Sequence, residues 1–251
     1  MTLTPQGRGD PPAWDAAVDG PDVAFVGDLL DEAERTLCVD TRRVFVVGAS
    51  NGAMLASALA CTSGGRVAAV GAVAGVSPVL PARVDPEGRR CRPARAVPMV
   101  AVHGTADPVI RFSGGFAPGV AALPGPDGVP LGERQRPTTL SIPEVMGVWA
   151  GRDGCDVSPG RPEPVEAAVR RLTWRCPAGT AGELYVVQGG GHGWPGAKGD
   201  PGWAPLAEAT AGGGLAETSD VSADKLLWAF FAGHPLPRPT PERGFLGWRP
   251  S

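Results

Sequence analysis

The sequence predicts an α/β fold: a mainly parallel sheet with helices on both faces. Three observations predict it. The apolar runs Val44–Val47, Arg66–Ala74 and Val97–Val102 are continuous, as in strands buried on both sides of a parallel sheet. Segments with apolar residues at helical spacing alternate with them. One run passes straight into a helix-like segment, Ala53–Ala60, through the tight pentapeptide Gly48-Ala49-Ser50-Asn51-Gly52.

The elements follow in order. Asp19 to Leu37 reads as an amphipathic helix, with Val23, Val26, Leu29, Leu30, Ala33 and Leu37 on one face. The strand Val44–Val47, the pentapeptide and the helix Ala53–Ala60 come next, then the strands Arg66–Ala74 and Val97–Val102. Arg111 to Thr139 is rich in Gly and Pro, too long for a plain connector, and is expected to arch over a site. Ser141 is expected to cap a helix running to Ala150, with Pro143 and Glu144 in its first turn. Val169–Arg175 and Glu183–Val187 read as strands, and Ser219–Ala232 as a helix capped by Ser219. No internal repeat is evident. Residues 1–234 are expected to form one domain, incomplete at its N-terminus, and 235–251 a Pro-rich tail.

Composition narrows the function. The chain has 251 residues, 43% of them hydrophobic, enough for a substantial core. A net charge of −3 with scattered arginines argues against a nucleic-acid partner. The longest apolar stretch, from Val67 to Leu80, is too short and interrupted for a membrane span. Residues 1–12 lack the basic and apolar regions of a signal peptide. None of the five cysteines has metal-site spacing. Cys155 and Cys176 could pair, as could two of Cys38, Cys61 and Cys91, which should lie at the end of the sheet opposite the site. All five could equally be free, buried small hydrophobes.

Strand, G-x-S-x-G, helix reads as a nucleophile elbow. The strained turn lifts the Ser50 hydroxyl clear of the sheet, and the helix start turns backbone N–H groups, Asn51's first, toward a developing oxyanion. A nucleophilic serine needs a base, and the base an orienting acid. The chain has three histidines. His192, in the Gly-rich loop after Glu183–Val187, is the candidate base, and Asp107, after Val97–Val102, the candidate acid. All three lie at C-terminal strand ends, where open α/β sheets place their sites. The order Ser50, Asp107, His192 is that of the α/β-hydrolases. His103 is expected to hold the loop presenting Asp107, and His234 to be solvated. Trp14 and Trp194 are candidates for the substrate-cleft wall. The alternatives are plainer: Ser50 as a helix cap, Asp107 as a turn former, His192 as a loop residue, and both tryptophans as ordinary packing.

Several blocks carry a family resemblance. They are Asp22-Val23-Ala24-Phe25-Val26, Cys38-Val39-Asp40, Gly48 to Met54, His103-Gly104-Thr105-Ala106-Asp107-Pro108, Trp149 with Arg152-Asp153-Gly154-Cys155, and Gly189-Gly190-Gly191-His192-Gly193-Trp194-Pro195. From Pro5 to Pro235 the chain resembles the esterase/polyhydroxybutyrate depolymerase family, which includes feruloyl and acetylxylan esterases. The resemblance implies a secreted α/β-hydrolase that uses Ser50, Asp107 and His192 without a cofactor. It implies a serine esterase acting on polyesters or on feruloyl or acetyl esters of polysaccharides, here expected to be a monomer. Family members carry further strands upstream and an H-G-G-type loop that supplies a second oxyanion donor; no such loop occurs here. The expectation is therefore a chain begun late, with two alternatives: a non-catalytic remnant or binding protein, and a serine peptidase on the same fold.

Overall fold

The computed structural model describes residues 1–10, 12–77, 91, 93–122, 129–130, 140–197 and 221–238. The helix α1 (Pro21–Thr36) begins with Pro at its first position. A single 3₁₀ turn, Thr41–Arg43, leads into β1 (Phe45–Ala49), and the elbow into α2 (Asn51–Thr62). Then come β2 (Ala69–Val73), β3 (Met99–Gly104), the short α3 (Pro118–Ala121) and α4 (Ile142–Arg152). Strands β4 (Glu163–Glu166), β5 (Val169–Trp174) and β6 (Gly182–Val187) precede α5 (Ala223–Gly233).

The sheet runs β1-β2-β3-β6-β5-β4. Its β1, β2, β3 and β6 are parallel neighbours; β5 and β4 join antiparallel at one edge. Alternate residues feed two cores. Val70, Ala72, Met99 and Ala101 face α2 and α4, packing with Ala56, Ala60, Met146 and Trp149. Ala69, Val73, Val100 and Val102 face α5, packing with Leu227, Phe230 and Phe231. Gly71 lets α5 approach: a Cβ there would lie 2.8 Å from Leu227 Cδ2. Helices thus cover both faces, as the strand–helix alternation requires.

Ser141 and Glu144 start α4 as expected, the Ser141 N–H donating to the Glu144 carboxylate at 2.7 Å. The cap of α5 differs. Ser222 occupies it, its hydroxyl accepting from the Lys225 amide, and Ser219 lies outside the described residues, as does most of 111–139 beyond α3. Strand β4 escapes sequence reading because all four of its residues are exposed and one is Pro164. His234 is not a solvated tail residue. It ends α5, its Nδ1 2.7 Å from the Phe230 carbonyl and its ring against Phe230. The chain then returns to the body, where the Leu236 amide donates to the Arg42 carbonyl at 2.8 Å.

Disulfides join Cys61 to Cys91 and Cys155 to Cys176, leaving Cys38 free and exposed. Of the three cysteines expected at the far end of the sheet, two have paired. Among the described residues, no helix is long and apolar enough to cross a membrane.

Candidate active site

Ser50 sits between β1 and α2 with φ 51° and ψ −119°, a left-handed conformation rare for a residue with a side chain. The surroundings enforce it. Its N–H donates to the Val73 carbonyl at the end of β2, and its own carbonyl accepts from Ala53 and Met54 at the start of α2. Gly48 is obligatory, because a Cβ there would run into the Gly52 carbonyl and lie 2.7 Å from the Ala53 nitrogen. Gly52 is not: its Cβ would stand in ordinary contact, 3.9 Å from Trp14 Nε1. The two elbow glycines share one close approach, and only Gly48 lacks room for a side chain. Gly75 presses on the Ser50 backbone from the strand-end side. Although Ser50 occupies the N-cap position, its hydroxyl caps nothing.

The hydroxyl instead meets His192. Ser50 Oγ lies 2.8 Å from His192 Nε2, and His192 Nδ1 lies 2.8 Å from Asp107 Oδ2. All three residues are buried, with Ser50 8% exposed and His192 0%. The loops that carry His192 and Asp107 are laced together. Thr105 and Ala106 donate backbone hydrogen bonds to the Val187 and Gly190 carbonyls, and the Gly189 N–H donates to Thr105 Oγ1. Gly104 makes this possible: a Cβ there would lie 2.6 Å from the Gly191 oxygen.

Asp107 is saturated with donors. Its Oδ1 accepts from the Val109 and Ile110 amides at 2.8 and 2.9 Å. Its Oδ2 faces His192 Nδ1 and, at 3.2 Å, His103 Nε2. Burial alone would push this carboxyl up. The hydrogen bonds from His103 and His192 outweigh it and bring the carboxyl down to about 2. A carboxylate next to Nδ1 makes that nitrogen the donor, which leaves Nε2 to accept from Ser50. The geometry thus brings Ser50, Asp107 and His192 together, and His103 beside Asp107 as expected.

Asn51 does more than place an N–H at the helix start. Its Oδ1 accepts from the Trp14 amide at 2.6 Å and its Nδ2 donates to the Trp14 carbonyl at 3.1 Å, clamping the N-terminal segment beside the elbow. The same segment is held by buried Asp22, which accepts from the Asp15 amide at 2.7 Å and from Arg8. Trp14 packs on the small cluster of Val26, Leu55 and Leu59. Trp194 packs against the α5-side core and donates its indole N–H to Asp224 at 3.1 Å. The Asn51 carboxamide, Thr105 and Asp22 lie within the blocks that carry the resemblance, but the sequence does not announce these contacts, since their partners are backbone groups or lie far along the chain. Among the described residues, no group of His, Cys, Asp and Glu could hold a metal ion.

The parallel core, the strained elbow and the order of Ser50, Asp107 and His192 define the fold as that of the α/β-hydrolases. The sequence model of the family described as Phospholipase/Carboxylesterase matches residues 23–117. Feruloyl esterase B of Piromyces equi is 28% identical over 183 residues, 72% of this chain and 31% of that protein. NocK of Nocardia uniformis subsp. tsuyamanensis, described as a candidate esterase, is 29% identical over 214 residues, 82% of this chain and 57% of that protein. An acetyl xylan esterase from Aspergillus awamori aligns in structure with a TM-score of 0.50 at 16% identity, covering 80% of this chain and 73% of that one, and speaks to the fold alone. The chain thus has the α/β-hydrolase fold and is similar to esterases, and it spans 31% and 57% of the length of these two curated relatives.

Proposed function

We propose that this chain is a serine esterase that cleaves carboxylic esters through an acyl-enzyme. The observation that carries the reading is the pair of 2.8 Å contacts linking Ser50, His192 and Asp107 behind a strained elbow. His192 Nε2 takes the Ser50 proton as Oγ attacks the ester carbonyl. The oxyanion of the tetrahedral intermediate faces the Asn51 N–H at the start of α2, where unpaired amides favour negative charge. Asp107 holds His192 in its tautomer and stabilises the imidazolium. Collapse expels the alcohol with a proton from His192. Water, activated by the same nitrogen, then releases the acid.

The name of the Piromyces equi relative points to feruloyl esters as substrates; acetyl esters of polysaccharides and polyhydroxyalkanoate-type polyesters have the same bond. Both disulfides suit an extracellular, oxidising compartment. The test is a panel of a p-nitrophenyl ester, methyl ferulate, acetylated xylan, polyhydroxybutyrate and peptide substrates, run on wild type and Ser50→Ala. Ester turnover lost in S50A supports the reading. Peptide turnover alone, or equal ester turnover in folded S50A, overturns it.

A further inference from the structure

We propose that His103 is a positioning residue for the acid of this site, fixing Asp107 Oδ2 against His192; this rests on reading Ser50, His192 and Asp107 as the reacting groups. His103 ends β3 four residues before Asp107 and is fully buried, 1% exposed. Its Nε2 lies 2.9 Å from the Ile110 carbonyl and 3.2 Å from Asp107 Oδ2. Both partners accept only, so Nε2 carries the hydrogen and shares it between them.

The carboxylate needs this second point of attachment. The Val109 and Ile110 amides pin Oδ1, which leaves Oδ2 free to swing about that pivot. His103 gives Oδ2 a contact besides His192, at 3.2 Å, and by holding Ile110 it also holds one of the two amides. The ring bears a cost for this placement. Its other nitrogen, Nδ1, is buried and has no hydrogen-bond partner among the described residues. A residue that only filled this space would be apolar, because an unpartnered buried nitrogen is unfavourable. Among the described residues, the titratable side chains on the Asp107 carboxylate are His103 from β3 and His192 from the loop after β6.

The experiment uses the full chain and compares wild type, His103→Leu, His103→Gln and His103→Asn. The readouts are the pH profile of p-nitrophenyl ester hydrolysis, the low-field proton resonance of His192 Nδ1–H, and Tm. Leu removes the donor. Gln places an amide nitrogen near the position of Nε2, whereas Asn is one carbon too short. H103L and H103N are expected to lose ~10–100-fold in kcat with KM little changed, since a misplacement of about 1 Å can cost ~10². Their low-field resonance should shift. The acidic limb of the profile should move, because the carboxylate that faces His192 is displaced and has lost a donor. H103Q should keep kcat, limb and resonance near wild type. Should H103L fail to fold, the H103Q–H103N contrast decides. Equal behaviour of Gln and Asn, or loss of Tm with limb and resonance unmoved, overturns the proposal. A wild type that hydrolyses nothing, with the resonance still following the Gln–Asn contrast, refutes the esterase reading and leaves the positioning role standing.

Discussion

Replacing Asp107 by Asn changes one atom, and the structure dictates what that atom does. The Val109 and Ile110 amides donate to Oδ1, so the Asn carbonyl must stay there or forfeit two hydrogen bonds. The new NH₂ then occupies the Oδ2 position, facing His192 Nδ1 and His103 Nε2. His192 must turn Nδ1 into an acceptor, which places its hydrogen on Nε2, the atom 2.8 Å from Ser50 Oγ. A nitrogen already carrying a proton cannot take one from serine. In triads of this kind the wrong tautomer costs about 10⁴ in kcat, which at 1.36 kcal/mol per tenfold is about 5–6 kcal/mol of transition-state stabilisation. The assay is kcat/KM for p-nitrophenyl acetate, with folding verified by circular dichroism. A folded D107N enzyme within about tenfold of wild type would refute the reasoning.

Other predictions follow from the same contacts. Asp107 is held down at about 2, below its unfolded value, so its contribution of about 2–3 kcal/mol is complete above pH 4 and disappears as pH falls from there through 2; acid titration of D107N should show a shallower loss over that window. Asp153 runs the other way, raised by burial to about 6, so its contribution is complete at low pH and fades as pH rises through 6. In thermal melts, Gly48→Ala should destabilise by about 1–3 kcal/mol or prevent folding, whereas Gly52→Ala should be neutral or stabilising by a few tenths. The disulfides close loops with sequence separations of 30 and 21, so removing either as a double Ser variant should cost about 3–4 kcal/mol and lower Tm by about 10 °C.

Much of the scaffold was legible because it is written in local patterns. The apolar runs of β1, β2 and β3 announce a buried parallel sheet, and Ser141 with Glu144 announces the start of α4. Gly48 announces the elbow because no other residue fits, and the order of Ser50, Asp107 and His192 follows from the topology. What was not legible depends on partners far along the chain. Asn51 reaches Trp14, 37 residues away, and Thr105 reaches Gly189, 84 residues away. Strand β4 pairs only at an exposed edge, where no apolar pattern is needed. His234 read as tail because prolines follow it, yet stacking on Phe230 and the bond to its carbonyl make it the end of α5.

The central claim is that Ser50 is a nucleophile held ready by His192. Labelling with a serine-reactive fluorophosphonate, followed by peptide mapping, tests it most directly. The account predicts a single adduct on Ser50, abolished in S50A and strongly slowed in D107N. No adduct in folded wild-type protein, or an adduct on another serine that survives S50A, would contradict it.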